Sequence, residues 1–305
     1  MTMDRETPAR DTVALVALLE ATKRRWSDIR VELDEYGPED LLRRELGSDL
    51  LSDHASDALH EALQKVRVWR SDGIRVLSPF DSEYPSQLAG VHDYPPLLFA
   101  RGNLNERDAS SIAVVGTRKP SEGALRFINR IVPLLAADGL PIVSGLAKGV
   151  DGAAMRASLA AGNRTVGIIG TGVNRSYPAE NRDLQTVVSK DHLLLSQFWP
   201  DAPPSRQSFP MRNHVMSAFS SMTLIVEASE QSGTRIQARA ATKHGRPLLI
   251  SKAVYMQTQW AKDLVRQRFD VTVFSNEDEA LQAVRAIRDR ETASRSALNH
   301  LRLVS

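Results

Sequence analysis

The sequence contains no cysteine, and this absence excludes several kinds of chemistry. Without cysteine the chain forms no disulfide, has no thiolate nucleophile and offers no thiolate to a metal ion. It also lacks a run of about 20 apolar residues that would cross a membrane. Its first residues, MTMDRETPARD, are polar and carry no apolar signal-peptide core. We therefore expect a cytoplasmic protein without a membrane partner.

A strong excess of charge of either sign is also missing. The chain of 305 residues has 39 Lys+Arg against 37 Asp+Glu, a formal net charge of +2. A basic surface for an anionic partner must therefore come from local clustering of cations. The length is sufficient for one large domain and a smaller one.

The common nucleotide-binding fingerprints are absent as well. Gly116 is followed by Arg118 where G-x-G-x-x-G needs its second glycine. Gly170 and Gly172 are followed by Arg175 where the same motif needs its third. No G-x-x-x-x-G-K-[ST] segment occurs. These absences exclude a Walker-type NTPase and argue against an NAD enzyme, and we expect no cofactor.

Strand and helix patterns alternate through the middle of the chain. Apolar, β-branched runs at Ile112–Val115, Pro141–Val143 and Thr165–Ile169 each end in a glycine or Ser-Gly turn. Helical spacing fills the stretches between them, so we predict an α/β, doubly wound, mainly parallel sheet with right-handed crossovers. The later predicted strands are His192–Ser196, Met222–Val226, Leu248–Ser251 and Val271–Phe274.

The two ends of the chain differ from this middle part. Helical spacing with a break at Gly37 predicts a small helical domain over residues 1–75, whose mixed charges favour a solvated face. We place the α/β domain at residues 76–288 and a charged, fraying tail at 289–305. An apolar run after prolines, Leu97–Leu104, predicts an edge strand that enters the α/β domain.

Two of the strand-to-helix junctions place glycine beside a cation. They are Gly116 with Arg118, and Gly145 with Lys148. N–H groups at a helix start lack intrahelical partners and the helix dipole is positive there, so an anion is stabilised. Junctions of an open parallel sheet share one edge and can converge on one crevice. The alternative is that these glycines only form turns, as in any doubly wound domain.

Six motifs follow one another between Tyr84 and about Arg246: YPxxL…PPxLFxRGNL, VGTRKPS, VSGLAKGVDGAA, GTG…YPAEN, FPMRN and EASEQSGT…A…GR. In these motifs the chain resembles the DNA-processing protein A (DprA, or Smf) family. The resemblance implies an extended Rossmann-like fold preceded by a small helical domain. It also implies a non-enzymatic protein with a basic pocket for single-stranded DNA, handover of that DNA to a RecA-type recombinase, and a homodimer.

The resemblance also implies which residues bind. By motif position, Arg118 and Arg212 are the cations expected at the DNA backbone. Phe209 either stacks on a base or anchors its loop. The complete set expected at the DNA or phosphate site is Gly116, Arg118, Lys119, Phe209, Arg212, Asn213, Gly233 and Thr234, with Ser144, Gly145 and Lys148 in the phosphate-binding turn.

Some residues depart from the family pattern. His214 stands where the family usually has arginine, and Gln237 replaces a common threonine. The histidines His192, His214 and His244 are far apart in the sequence, so we interpret them as structural and expect no metal.

A nucleotide-binding sensor or a phosphoribohydrolase-like enzyme of the same superfamily is the alternative. Those hydrolases carry a Pro-Gly-Gly-x-Gly-Thr loop with a glutamate three residues further on. Here the loop is Ser229–Thr234, and Gln237 stands in place of that glutamate. Glu227 or Glu230 remains as a general acid or base for this alternative.

The late segment Leu248–Phe274 supplies material for the expected homodimer. It contains an apolar strand, Trp260 and Leu264 near the end of the predicted sheet. An edge strand with such a helix suits a two-fold interface. The alternative is that Trp260 and Leu264 cover the domain's own sheet.

Overall fold

The computed structural model describes residues 9–47 and 54–304, with side chains up to residue 294. The helical region begins with α1 (Arg10–Thr22), α2 (Trp26–Leu46) and α3 (His54–Ser71). The predicted break lies inside α2, where Gly37 has a φ of 74° and interrupts the helix. Our predictions for residues 1–8 and 48–53 lie outside the described residues.

A single sheet of nine strands follows, in the order β1-β2-β6-β5-β4-β3-β7-β8-β9. From β6 to β9 every neighbouring pair is parallel, whereas β1 pairs with β2 and β2 with β6 in antiparallel fashion. The prediction of a doubly wound, mainly parallel sheet is therefore confirmed. The strands are β1 (Arg75–Leu77), β2 (Leu98–Gly102), β3 (Ile112–Val115), β4 (Ile142–Ser144), β5 (Thr165–Ile168), β6 (Leu193–Ser196), β7 (Met222–Ile225), β8 (Leu248–Ser251) and β9 (Val271–Phe274).

The run at Leu97–Leu104 was wrongly predicted to be an edge strand. Strand β2, within this run, lies between β1 and β6. The edge position belongs to β1, whose three residues pair with Leu98, Phe99 and Ala100. The prolines lie before β2 and not within it, so they remove no donor from its ladder.

Helices cover both faces of the sheet. Helix α5 is an example of how the sequence forms such a helix. The Ser121 hydroxyl caps its start by accepting from the Ala124 N–H (3.1 Å). Ile128, Ile131 and Leu135 recur on its buried face. The helices that accompany the sheet are α4 (Ser86–Ala89), α5 (Glu122–Ala137), α6 (Val150–Ala160), α7 (Arg182–Asp191), α8 (Ser208–Phe219), α9 (Thr234–Lys243), α10 (Lys252–Gln257), α11 (Gln259–Arg266) and α12 (Glu277–Val304).

Helix α12 extends beyond the point where we predicted a fraying tail. It continues through residues 289–304 instead of ending near Ile287. Two nitrogens of Arg285 donate to the Asp138 carboxylate at the end of α5 (2.7 and 2.9 Å), and Arg290 pairs with Asp270. These contacts attach the charged part of α12 to the domain.

The N-terminal helices share a hydrophobic core with one face of the sheet. Apolar residues of α1 and α3 form one buried cluster with residues of β1, β2 and α6. The indole of Trp69 meets the ring of Phe99 edge to face, with the ring centroids 5.4 Å apart. The helical region is therefore packed directly against the sheet.

Trp260 and Leu264 belong to the core of this domain. They are 5% and 8% exposed and pack in the same cluster as β7 and β8 residues. They cover the domain's own sheet, as the alternative held, so the homodimer stays a prediction that these two side chains do not support. In the part of the chain that the structure describes, no helix is long and apolar enough to cross a membrane.

The chain reverses its direction of winding between β3 and β7. Strands β4, β5 and β6 follow β3 on one side, whereas β7, β8 and β9 follow on the other. The loops after β3 and β7 therefore separate at the carboxyl edge of the sheet. Such a switch point is where ligands bind in open α/β sheets.

Candidate functional site

A cavity of about 510 Å³ lies at this switch point. It is bounded by the loop after β3, the loop after β7 and the start of α8. A second, smaller cavity of about 40 Å³ adjoins it and shares Arg118, Phe209 and Arg212 with it. The predicted residues that line the larger cavity are Gly116, Arg118, Lys119, Phe209, Arg212, Asn213, Gly233 and Thr234, and those that line only the smaller one are Gly145 and Lys148.

The loop Gly116–Lys119, which we call the rim loop, carries exposed cations on a fixed backbone. The Thr117 N–H donates to the Glu227 carbonyl (2.7 Å), and the Thr117 carbonyl accepts from the Val150 N–H (3.1 Å). The side chains of Arg118 and Lys119 are exposed. The loop thus presents two cations to solvent at the mouth of the cavity.

Gly145, Asp151 and Arg212 form what we call the pocket floor, and here the cation is buried. Arg212 is 6% exposed, and its Nη1 donates to the Ile168 carbonyl (2.8 Å). A Cβ atom on Gly145 would lie 1.4 Å from Nη1 of Arg212. The close approach that requires glycine at 145 is therefore made by the Arg212 guanidinium. The Nε of Arg212 is buried without a hydrogen-bond partner.

Asp151 is a site residue that the sequence analysis missed. It lies in the first turn of α6, is 5% exposed, and accepts from the Gly145 N–H (3.1 Å). Burial raises its pKa, while Arg212 and backbone N–H groups act in the opposite direction. An aspartate in a first helical turn is so common that its position gave no signal. It also occupies the Gly145 N–H that we had expected to face a phosphate.

Electrostatic effects couple the pocket floor to the rim. Burial lowers the pKa of Arg212, the Asp151 carboxylate opposes this, and the Arg118 cation lowers it further. Arg118 and Arg212 therefore repel one another across the cavity. A bound anion between them would relieve that repulsion.

Phe209 forms part of the wall between the two cavities. Its ring centroid lies 6.0 Å from the Arg118 guanidinium carbon and 5.5 Å from the ring of Tyr177. A Cβ on Gly170 would lie 2.8 Å from a ring carbon of Phe209. The ring is half-buried, so it both anchors the start of α8 and keeps surface in the cavities.

Ser144 and Lys148 do not join the other predicted residues in the larger cavity. Ser144 is fully buried, and its hydroxyl donates to the Val114 carbonyl (2.7 Å), so it ties β4 to β3. Lys148 is paired with the Glu180 carboxylate and lines only the smaller cavity. Neither Ser144 nor Lys148 is among the described residues that line the larger cavity.

The start of α9 is capped from within its own loop. The Thr234 N–H donates to the Ser232 hydroxyl (3.2 Å), and the next two N–H groups donate to the carbonyls of Ser232 and Gly233. The helix start therefore offers an anion its dipole but few free donors. An anion in this cavity would therefore depend mainly on the cations that line it.

The two glutamates considered as acids or bases are held in structural bonds. Glu227 accepts from the Ser121 N–H (2.8 Å) and Glu230 from the Gln259 N–H (2.6 Å). Neither is among the described residues that line the cavity. Gln237 does line it, and its Oε1 is buried without a hydrogen-bond partner.

Two of the three histidines that we interpreted as scattered lie side by side. Nδ1 of His214 is 2.9 Å from one oxygen of Asp93, and Nε2 of His244 is 2.7 Å from the other. Helices α8 and α9 pack together, which brings residues 30 positions apart into contact. Separation along the chain was therefore a poor argument against a cluster. His192, in contrast, follows α7 at another part of the sheet.

Fold and cavity together define a class of protein: an extended Rossmann-like α/β protein with a cation-lined cavity at the topological switch point. A family model described as DNA recombination-mediator protein A matches residues 75–284, which is more than half of the chain. The chain belongs to this family.

Among curated proteins, the DNA processing protein DprA of Bacillus subtilis is 36% identical over 179 residues, which are 58% of this chain and 60% of that protein. The chain thus matches only about three fifths of that relative's length.

Two solved structures are similar over most of the fold. DNA processing protein A from Streptococcus pneumoniae has a TM-score of 0.68 at 25% identity, covering 91% of this chain and 98% of that one. DNA processing protein A from Helicobacter pylori has a TM-score of 0.60 at 25% identity, covering 69% of this chain and 95% of that one. The latter structure is described as giving insight into a single-stranded DNA binding mode of that protein.

Proposed function

We propose that this protein binds the backbone of single-stranded DNA in the cavity at the switch point and is not an enzyme. The observation that carries the proposal is the placement of Arg118, Lys119 and Arg212 around one cavity. Phosphates are the anions that such a combination of guanidinium and ammonium groups binds with charge-assisted hydrogen bonds. The description of the Helicobacter pylori relative supports the choice of single-stranded DNA.

The shape of the site favours a single strand over a duplex. The cavity of about 510 Å³ is concave and of the size that accepts a small ligand or one end of a flexible chain. A base in a single strand can turn into such a cavity, whereas a paired base cannot without unstacking. Phe209 supplies a half-buried ring against which a base can stack without sequence preference.

The decisive experiment measures binding of a fluorescent oligothymidylate by anisotropy, beside a duplex of equal length and over a range of salt. We expect a preference for the single strand and an affinity that falls steeply as salt rises. Arg118→Ala removes an exposed cation at the cavity, so the binding free energy should weaken by about 1.5–3 kcal/mol. The melting temperature should not change.

The matched control is Arg25→Ala, which removes another exposed arginine, one that pairs with Asp28 at the start of α2. It should leave DNA binding unchanged. Equal binding of duplex and single strand, or an R118A variant that binds like the parent, would contradict the proposal.

A nucleotide-binding sensor is the second candidate, and one observation favours it. The unpartnered Oε1 of Gln237 in the cavity can accept an N–H from a nucleobase. The same titration with free mononucleotides separates the two functions, because a sensor binds them more tightly than it binds the oligonucleotide.

Delivery of the bound strand to a RecA-type recombinase is the further part of the proposal. Its support is the description of the family as recombination mediators. We expect a RecA-type recombinase to assemble faster on single-stranded DNA already covered by a single-strand-binding protein when this protein is added than when it is absent.

A further inference from the structure

A second cluster of polar side chains lies outside the cavity, where α8 and the end of α9 meet the turn before β2. Asp93 is in that turn, His214 is on α8, and His244 follows α9. Their side chains are 30%, 34% and 0% exposed, respectively. We call these three residues the Asp93 cluster. None of them is among the described residues that line the cavity.

The geometry of the cluster is close to that of a metal site. One ligand atom from each residue lies within 4.8 Å of the other two. The two imidazole nitrogens already face the two oxygens of one carboxylate at 2.9 and 2.7 Å. Around a tetrahedral zinc ion, ligand atoms stand about 3.3 Å apart. Each imidazole–carboxylate distance is therefore within about half an ångström of that spacing, and the two imidazole nitrogens lie within 4.8 Å of each other.

The surroundings fix one ligand and leave the others able to adjust. The other ring nitrogen of His244, Nδ1, lies 3.0 Å from the Ser217 hydroxyl. A hydrogen bond to the non-ligating nitrogen is how proteins orient a histidine toward a metal. Asp93 sits in a turn rather than a helix or strand, so its carboxylate can shift.

A fourth ligand is close at hand. The Nε2 of His92 lies 4.0 Å from the Asp93 carboxylate, and its side chain is 65% exposed. This third imidazole is therefore a candidate for the fourth ligand. The alternative fourth ligand is water, as in zinc sites with three protein ligands.

We propose that Asp93, His214 and His244 form a binding site for Zn²⁺. Imidazole and carboxylate ligands in tetrahedral arrangement suit zinc, and the chain has no thiolate that would compete for it. The ion would join α8, the end of α9 and the turn before β2. Since α8 also carries Arg212, zinc would stabilise the element on which the pocket floor rests.

The chain offers a sharp control for this proposal. An arginine at position 214 would retain a donor to Asp93 but would not bind zinc at neutral pH. His214→Arg therefore keeps the ionic contact and removes the metal ligand. Asp93→Asn is the second test variant, because it keeps a hydrogen-bond acceptor and removes the charge. His60→Gln, which changes an exposed histidine on α3, serves as the control for nonspecific binding.

The experiment titrates untagged protein, first stripped of metal with a chelator, with Zn²⁺ by calorimetry and with Co²⁺ by visible absorption. We expect one ion per chain at micromolar affinity or tighter, an absorption typical of tetrahedral Co²⁺, and a melting temperature that zinc raises. H214R and D93N should each bind at least tenfold more weakly, and H60Q should bind like the parent.

Two results would overturn the proposal: a parent protein that binds no zinc at micromolar concentration, or H214R and D93N variants that bind as the parent does. Circular dichroism of the metal-free variants shows whether each is folded, and either folded variant is sufficient for the comparison.

Discussion

The rim loop and the pocket floor both place an arginine at the same cavity, yet in opposite environments. Arg118 on the rim is exposed, whereas Arg212 on the floor is 6% exposed and bonded to the Ile168 carbonyl. A rim cation is already solvated, so it contributes to ligand binding at little cost to the fold. A buried cation has lost its water and depends on fixed partners. The floor thus links ligand binding to stability, and the rim does not.

The largest effect is expected from Arg212→Ala. Removing the cation leaves the buried Asp151 carboxyl group without the charge that lowers its pKa most, which should cost about 3 kcal/mol of stability. DNA binding should fall as well. Arg118→Ala provides the rim counterpart, with a loss of binding and no loss of stability. Chemical denaturation checks both variants.

The pH dependence tests the cause of this penalty. Burial already raises the pKa of Asp151 in the folded protein. Its ionisation therefore costs stability as the pH rises above the pKa of aspartate in the unfolded chain, about 3.9. Without Arg212 the pKa of Asp151 rises further, so the R212A penalty should grow with pH once the pH exceeds the folded-state pKa of Asp151 in the parent protein. Adding Asp151→Asn should recover part of the stability at pH 7. A penalty that is constant with pH and persists in the double variant would contradict the electrostatic explanation.

An intermediate effect is expected from Gly145→Ala. The new methyl group would overlap the Arg212 guanidinium, which must leave the Ile168 carbonyl. Loss of a buried hydrogen bond should cost about 1–3 kcal/mol, and the displaced cation should weaken DNA binding. Gly90→Ala is the matched control outside both cavities, because its added Cβ would make only ordinary contacts, at 3.7 and 3.8 Å. If the two variants lose equal stability in denaturation and equal affinity in anisotropy, the close approach of Arg212 to Gly145 is not what makes the floor sensitive to substitution.

The smallest effect is expected from Lys148→Ala. Lys148 is 53% exposed, is paired with Glu180, and lines only the smaller cavity. Exposed ion pairs contribute little to stability, so its loss should change stability by less than about 0.5 kcal/mol. DNA affinity should fall less than in Arg118→Ala. An equal fall in the two variants would extend the binding site into the smaller cavity.

The strands of the parallel part of the sheet and the convergence of the cation-bearing junctions could be predicted because both depend on local patterns. Apolar runs that end in glycine marked β3, β4 and β5, and the structure has strands there within a residue or two at each end. The junctions after parallel strands share an edge by the geometry of the sheet, so the cations near Gly116 were expected at one crevice.

The features that could not be predicted depend on contacts between distant segments. Nothing local distinguishes Arg212 as buried or Asp151 as its neighbour. The edge position of β1 is likewise decided by pairing, because its three residues meet β2 across an intervening turn and helix. The Asp93 cluster joins segments more than 100 residues apart.

The sequence by itself determined the class of fold, the family motifs and the set of cations available to a phosphate, because periodicity and glycine turns act over a few residues. Only the tertiary structure decided which cation is buried, which N–H groups are already occupied and which histidines meet a carboxylate. The physical reason is that burial and hydrogen-bond satisfaction are properties of packed neighbours, and those neighbours come from all parts of the chain.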